Sequence, residues 1–566
     1  MKHFLAVALS VLFIPFAHAI VDMRSANFSD TWVDIIVPGS GYDLRVRRTY
    51  SSRSLFNGMF GFGWCSDFET KIETTAENNL LLTECGGGAE ITYTRGGTVN
   101  GESIASTIET IVQEVAKRNK KLTRKDLNRL KEDLRKDQYL RMALSRKLDL
   151  GGKVESGQTY RANGSGAETI VFEKGRFVRT LEDGTYQFFD KDGQLTRMQD
   201  KNRNYLDLKY KGNKLVQVVD NNGRQINLQY KKGTGKVEVI SAPGKLMARY
   251  EFNGDNLVKV TNQWKTTYQY SYDSLHNLTQ ILFNDGTSKK ITYNEKRDWV
   301  TSFTNRKGCV ETYDYNVKND DHYTSKVVKK CDGKVTNQSS YEFIYKRKPG
   351  STDKYLYQAK SDVNGDKSEV TYHPIFGKPV LLVRNDIRTS YEYYDNGFVK
   401  TKKERFRHYA YEYKNSCQKV SQVTTKFFGK SSPVTQKVGN KKVVKLQKKL
   451  VKSVASRFYY DKNKCNLNMA KNSDGQIVKI SYDAKGRISK ITDQSKKVVN
   501  IKYEERFGKP RYVERPGLGA IQVVYKSNGD IEKVDSKDGP RVAIQVANVF
   551  NNLLEIISPA TTDLAL

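Results

Sequence analysis

The stretch Tyr205-Leu206-Asp207-Leu208-Lys209-Tyr210 decides the fold, together with Gly212-Asn213, Leu215, Asp220-Asn221 and then Ile226-Asn227-Leu228-Gln229-Tyr230. Leu206, Leu208 and Tyr210 fall on one face of a strand by period-two alternation, and Ile226, Leu228 and Tyr230 repeat the pattern. Asp-Gly pairs such as Asp192-Gly193 supply the positive-φ positions that tight hairpins need. Working outward, tyrosine returns at Tyr210, Tyr230, Tyr250, Tyr270, Tyr293 and Tyr315, spaced 20, 20, 20, 23 and 22 residues apart. It resumes at Tyr372, Tyr394 and Tyr413, and again at Tyr460, Tyr482, Tyr503 and Tyr525. Leu195, Leu215, Val237, Leu257, Leu278 and Val300 keep the same period, so each unit is two short strands. A lone hairpin is marginal in water, but many in a row bury one continuous apolar face. A twisted sheet of that length must curl or close. The fold class is therefore all-β: a long antiparallel repeat sheet curled into a shell or barrel-like solenoid, with a small helical insertion.

Composition agrees. The 566 residues include 34 Tyr but only 4 Trp and 11 Pro, and 96 Lys and Arg face 63 Asp and Glu, a net charge of +33. Such a surface attracts polyanions: nucleic acid, lipopolysaccharide and other anionic lipid head groups, or acidic glycans of walls and capsules. The same charge also serves solubility alone, and both readings stand.

The first residues read as a cleaved secretory signal. Lys2 is the positive start, Phe4 to Phe16 is apolar but too short to span a bilayer, and Ala17-His18-Ala19 fits a signal peptidase. The expected location is periplasmic, extracellular or at the cell surface. The six cysteines, Cys65, Cys85, Cys309, Cys331, Cys417 and Cys465, all follow the leader, and none forms a CxxC pair. Proximity in sequence favours Cys65–Cys85, Cys309–Cys331 and Cys417–Cys465 among the 15 possible connectivities. Free buried thiols are the alternative. An outer-membrane barrel also fits a leader and alternating strands, but it needs strands of about 9–11 residues with an uncharged lipid face. The runs here are shorter and rich in Lys.

The chain divides into a leader (1–19), an N-terminal β-domain (20–100), a helical hairpin insertion (101–150), a repeat β-shell (151–540) and a C-terminal cap or plug (541–566). In the N-terminal domain Leu44, Val46 and Tyr50 point one way, and Arg45, Arg47 and Thr49 the other. Ile104, Ile108, Ile111 and Val115 have helical spacing, as do Leu127, Leu130 and Leu134, then Leu140, Leu144 and Leu148. This predicts two helices joined near Asn119, the second starting at Thr123 with Asp126 three residues on. The insertion reads either as a docking lid or as a solvated cover over one end of the β-core, the cover being favoured.

Two motifs carry a family resemblance. Tyr42-Asp43-Leu44-Arg45-Val46-Arg47-Arg48-Thr49-Tyr50-Ser51-Ser52-Arg53-Ser54 is followed by Gly58-Met59-Phe60-Gly61-Phe62-Gly63-Trp64, and the pair resembles the N-terminal domain of RHS/YD-repeat proteins, with Ser51 where that family usually has Asn. Tyr272-Asp273, Tyr394-Asp395-Asn396-Gly397, Tyr460-Asp461 and Tyr482-Asp483-Ala484-Lys485-Gly486-Arg487-Ile488 resemble its repeats. The resemblance runs from about Thr31 to Val534 and implies one long antiparallel sheet curled into a hollow shell. Toxin-bearing members of that family end the shell in Asp-Pro motifs ahead of a variable toxic domain. This sequence has no Asp-Pro dipeptide, and only 26 residues follow Pro540. The expected protein is a bacterial-type repeat shell without a recognisable C-terminal toxin.

Between Lys414 and Tyr460 there is no Asp or Glu, and 12 Lys or Arg fall in the window. Lys441, Lys442, Lys445, Lys448, Lys449 and Lys452 are the candidate anionic-ligand residues, on an arm that a Cys417–Cys465 bridge would clip at its base. The alternative is a long hairpin whose Lys-rich edge prevents aggregation. Catalytic signals are missing. His276, His322, His373 and His408 stand in no HExxH or nucleophile-elbow setting, and no phosphate-binding loop occurs. The expectation is a non-enzymatic protein with no catalytic residues, no cofactor and no metal. It would be a structural or binding protein at the envelope or outside the cell, contacting anionic polymers; a toxin-delivery shell lacking or separated from its effector is the alternative.

Overall fold

A computed structural model describes residues 20–535, apart from breaks at 40, 85–88, 96–100, 151–153, 163–167, 182, 349–353, 439–440, 506–507 and 527–530. The leader (1–19) and the C-terminal cap (541–566) lie outside the described residues.

Thirty-three strands, from Thr159–Tyr160 to Ile531–Asp535, form one antiparallel sheet in which each strand pairs with its neighbours in the chain. The repeat has a fixed defect. Lys209 faces Gln217, but Tyr210 faces Leu215, so the second strand bulges by one residue. The same slip occurs at Tyr230, Tyr272, Tyr293, Tyr393, Tyr482 and Tyr503. At the slip the tyrosine hydroxyl donates to a carbonyl 15 residues earlier: Tyr210 to Leu195 at 2.8 Å, Tyr230 to Leu215 at 2.9 Å, Tyr272 to Leu257 at 2.7 Å, Tyr293 to Leu278 at 3.0 Å. Leu215 is thus the bulge partner of one tyrosine and the acceptor of the next. An aspartate or asparagine secures many of the turns. Asp220 Oδ1 accepts the backbone N–H groups of Asn222 and Arg224, and Asp483 Oδ1 those of Lys485 and Arg487.

The series read from spacing mixes two positions. Tyr250 and Tyr270 are buried on the apolar face, two residues before the slips at Phe252 and Tyr272. The structural series is Tyr210, Tyr230, Phe252, Tyr272, Tyr293, and Phe252 has no hydroxyl to donate. Tyr315 lies in a longer strand, opposite Ser325, with no slip at its position.

The sheet winds back on itself. Asn466 Nδ2 donates to Asn202 Oδ1 at 3.0 Å, and a Cβ on Gly486 would sit 2.3 Å from the Asn202 side chain. Because strands alternate in direction, the turn at 200–204 and the turns at 461–466 and 483–487 lie on opposite edges of the sheet. The second coil therefore stacks edge to opposite edge on the first.

The N-terminal block carries strands Asn27–Ile36, Arg45–Ser51 and Trp64–Ser66 in one small sheet and Lys71–Thr74, Leu80–Glu84 and Ala89–Tyr93 in another. Phe28, Ile35, Val46, Phe60, Trp64 and Leu82 share one core with Leu206, Val218, Ile240, Val260, Ile281 and Val300 of the long sheet. The later units have their own core, including Tyr411, Val423, Ala470, Val478 and Ile491. The insertion holds three helices, not two: α1 (Gly101–Arg118), α2 (Arg124–Lys136) and α3 (Gln138–Leu148). Asp137 leaves helical geometry and its side chain accepts the N–H of Leu140, which ends one helix and starts the next. Arg141 of α3 reaches Glu77 of the N-terminal block at 2.9 Å, both nearly buried. No helix among the described residues is long and apolar enough to cross a membrane.

The tyrosine clasp has a graded cost. Tyr210→Phe loses one part-buried hydrogen bond and should cost about 1 kcal/mol. Tyr272 both donates to Leu257 and accepts from Trp64 Nε1 at 2.9 Å, so Tyr272→Phe strands two buried groups and should cost roughly 2–3 kcal/mol. Denaturant unfolding of the two variants measures the order; equal losses would show that the clasp does not act through these bonds.

Candidate functional site

The chemically densest part of the molecule is the seam between the N-terminal block and the long sheet. Arg48 shares the inward face with Val46 and Tyr50, since alternation admits no other choice. Its Nε donates to Asp34 Oδ2 at 2.7 Å and its Nη2 to the Tyr270 hydroxyl at 2.8 Å, with both ionic side chains fully enclosed. The Tyr250 hydroxyl donates to the same Asp34 oxygen at 3.0 Å. The guanidinium carbon lies 4.5 Å from the Trp64 ring centroid and 5.2 Å from that of Trp32. Burial opposes the charge on Arg48, but Asp34 and the facing hydroxyls outweigh it and hold the guanidinium above its ordinary range. Arg48 Nη1 and Asp34 Oδ1 make no hydrogen bond. The pair lies within the N-terminal block and meets the long sheet through the two tyrosine hydroxyls, and its enclosure leaves no room for a substrate.

Backbone bonds sew the same seam across the sheet. Val237 N–H donates to Met59 O, Phe62 N–H to Asp255 O, and Gln263 N–H to Asp34 O. Arg224 holds its own turn's Asp220 and donates to the carbonyls of Val37 and Tyr42. Glu69 lies beneath this contact. Its Oε1 accepts the Met59 N–H at 2.6 Å and its Oε2 the Ser66 N–H at 2.9 Å. Burial pushes its carboxyl up to about 7, against the pull of those two N–H groups and of Lys236. A Cβ at Gly58 would fall 2.1 Å from Glu69 Oε1, so the loop approaches the carboxylate only because that residue is glycine.

The cysteines and the basic arm lie elsewhere. Cys309–Cys331 and Cys417–Cys465 are bridged, and Cys65 is disulfide-bonded as well. Cys85 lies outside the described residues. Beyond the Cys417–Cys465 bridge, strands Gln422–Val438 and Lys441–Tyr460 form a two-stranded ribbon. The preceding strand covers only 422–427 of the first arm, and the following strand only 456–460 of the second. Residues between those limits pair only with each other, so the ribbon projects past the sheet. Lys441, Lys442, Lys445 and Lys448 occupy positions along it, with side chains outside the described residues. Lys449, Leu450 and Val451 are exposed, and Lys452 pairs with Asp474 at 2.6 Å. The ribbon thus gathers the basic candidates on one projection, with one of them engaged at its base.

The histidines are scattered. His276 bonds Asn256, His322 bonds Glu342, His373 accepts the N–H groups of Ile375 and Phe376, and His408 lies against Phe428. Arg48, Asp34 and Glu69 were not singled out in the sequence. The signal for Arg48 was its place between Val46 and Tyr50 on the inward side of the strand.

A family model described as a domain of unknown function, DUF6531, matches residues 19–93, the block that carries Arg48, Asp34 and Glu69. No curated protein matches the chain. Among solved structures the chain is similar to TcdB2-TccC3 without its hypervariable C-terminal region, at 12% identity and TM-score 0.35, covering 94% of this chain and 30% of that one. A second TcdB2-TccC3 structure gives 10% identity and TM-score 0.28, covering 95% and 32%. A Tc holotoxin pore from Photorhabdus luminescens gives 10% and 0.28, covering 65% and 22%. The chain spans a third or less of the length of these structures. Its fold class rests on its own strand order.

Two outcomes test the seam. Arg48→Met leaves Asp34 charged and buried without its partner, and should cost about 3–5 kcal/mol, whereas Arg48→Met with Asp34→Leu should recover much of it. Chemical denaturation reads both; equal losses in the single and double variants would show that the cost does not come from an unpaired buried charge. Glu69 sets a pH dependence. Its folded carboxyl keeps a proton to about pH 7 while the unfolded chain gives it up near the ordinary glutamate value of 4.5. The unfolded state therefore binds fewer protons between those values, so Glu69 lowers stability as pH rises through that window, with no further change above it. The Tm of the wild type minus that of Glu69→Gln should fall by several degrees from pH 5 to pH 8. Any fixed effect of the amide cancels in that comparison, and a flat difference would refute the shift.

Proposed function

We propose that the chain is an exported repeat-sheet binding protein that contacts an anionic polymer, at an envelope or outside the cell, through its projecting basic ribbon. The observation that carries this reading is the ribbon itself. Two strands with ten Lys or Arg and no carboxylate leave the sheet as a two-stranded arm, held at its base by the Cys417–Cys465 bridge. An edge guard against aggregation needs only a charge or two on a short edge strand. An arm of this length lies between two other strands at its base and guards no edge. Its charge offers closely spaced cations to a linear anion, releasing counterions on contact. Export is supported by the leader-like first residues and by the disulfide bonds. The role is one of binding, not catalysis.

The test is Lys441→Gln, Lys442→Gln, Lys448→Gln and Lys449→Gln in one protein, compared with the wild type on an anionic-polymer column. The variant should elute at clearly lower salt, with an unchanged melting temperature. Identical elution would remove the polymer reading and leave the carrier-shell reading, which the coiled sheet favours.

A further inference from the structure

The ribbon is not the only cationic feature on its edge. The turn between strands Ile488–Asp493 and Val498–Tyr503 and the turn between Pro510–Arg515 and Gly519–Tyr525 flank a cleft of about 510 Å³. Its charged and polar lining is Lys490, Lys496, Lys497, Asn500 and Arg515. The remaining wall is Val498, Pro516 and Leu518, so among the described residues no carboxylate and no aromatic ring lines it. The three lysines are exposed and Arg515 is buried. Lys490 and Asn500 stand opposite each other across adjacent strands, which puts both on the same face. The acids nearby are set apart from the cleft. Asp493 Oδ1 accepts the N–H groups of Ser495 and Lys497 and is consumed by its own turn. Glu514, the cross-strand partner of Asn500, does not line the cleft.

Position makes the cleft part of a larger surface. The ribbon's tip and the two cleft turns all follow strands of the same direction, so they share one edge of the sheet. It is the edge opposite to the one whose turns at 461–466 and 483–487 stack on the first coil. At about 4.8 Å per strand, the cleft lies roughly 15–25 Å along that edge from the ribbon. The only acid of the turn between them, Asp474, is paired with Lys452.

We propose that the exposed Lys490, Lys496 and Lys497, with Arg515 in the wall behind them, form an anion-binding cleft for a sulfate or carboxylate group of a linear acidic glycan that also runs along the ribbon. This rests on the polymer reading given above and extends it to a ligand class and a second contact. A glycan fits better than nucleic acid. Single-stranded nucleic acid is held on aromatic platforms, which the cleft lacks, whereas Asn500 offers a neutral donor and acceptor suited to a sugar hydroxyl. Two subsites on one chain raise affinity by effective concentration, provided that the ligand is long enough to reach both.

The experiment measures affinities of the mature protein at physiological salt for a sulfated tetrasaccharide, a sulfated dodecasaccharide and a single-stranded DNA of matched charge. The proteins are the wild type, the cleft variant Lys490→Gln/Lys496→Gln/Lys497→Gln and the ribbon variant Lys448→Gln/Lys449→Gln, each checked by thermal melting. The wild type should bind the dodecasaccharide at least about tenfold tighter than the tetrasaccharide, and each variant should lose about tenfold for the long ligand. A cleft variant that binds like the wild type overturns the cleft; if the ribbon variant is weakened in the same series, the polymer reading stands without it. A weakened cleft variant beside an unaffected ribbon variant overturns the ribbon. Equal affinity for both saccharides overturns the spanning ligand. DNA binding as tight as the dodecasaccharide, with the same losses, overturns the glycan in favour of nucleic acid.

Discussion

A hydrogen bond from a tyrosine hydroxyl to a carbonyl in the preceding unit turns a string of hairpins into one sheet. Ordinary ladder bonds join each strand to its neighbour, but they allow a strand to slide by two residues and pair again. The bulge at Tyr210 and its counterparts removes that freedom, because a slipped strand would carry the hydroxyl away from its acceptor. The aspartate that bonds its own turn fixes the other end of the unit. In the units that carry both, register, turn and inter-unit contact are therefore set by two side chains, and the other positions are free to vary within the apolar-in, polar-out pattern. Bulges also increase local twist, which is what a long sheet needs to coil instead of spreading flat.

The N-terminal block answers a second constraint. The apolar face of the first coil would face water without a cover, and Phe28, Trp64 and Leu82 supply it. An apolar cover alone would settle at many rotations on a periodic surface, since one repeat looks much like the next. The Arg48–Asp34 pair, with one hydroxyl donor and one acceptor from Tyr250 and Tyr270, fits at a single unit. A buried ion pair adds little net stability but discriminates against misplacement, because a shifted seating takes from its buried charges the Tyr250 and Tyr270 hydroxyls that complete their hydrogen bonding.

Much of this was legible in the sequence, and the failures have physical causes. Leu206, Leu208 and Tyr210 announced the strand, and the Asp-Gly pairs announced its turns. Tyrosine spacing alone did not distinguish Tyr250 from Tyr272, because alternation places an inward ring two residues before the clasp and both positions accept tyrosine. Asp137 divided what looked like one helical run, since leucine periodicity continues across a cap. Arg48 was passed over because a charged residue between Arg47 and Thr49 reads as solvated, although the strand's own period turns it inward. The ribbon was visible as a block of charge. Its projection was not, since that depends on the shortness of the strands on either side. Lys490 and Arg515 come from two strands and Lys497 from a turn, and they meet only once register is known.

The contact between Asn202 and Asn466 has a consequence for the size of the molecule. A closed barrel fixes its membership, because adding a strand changes the tilt and radius of every other. A coil that meets itself on opposite edges has a pitch instead. Further hairpins can be appended at the trailing end without disturbing those already stacked. Chain length in such an architecture is then a quantity that gene duplication can alter one hairpin at a time, with the leading end, sealed by its N-terminal block, left as it was.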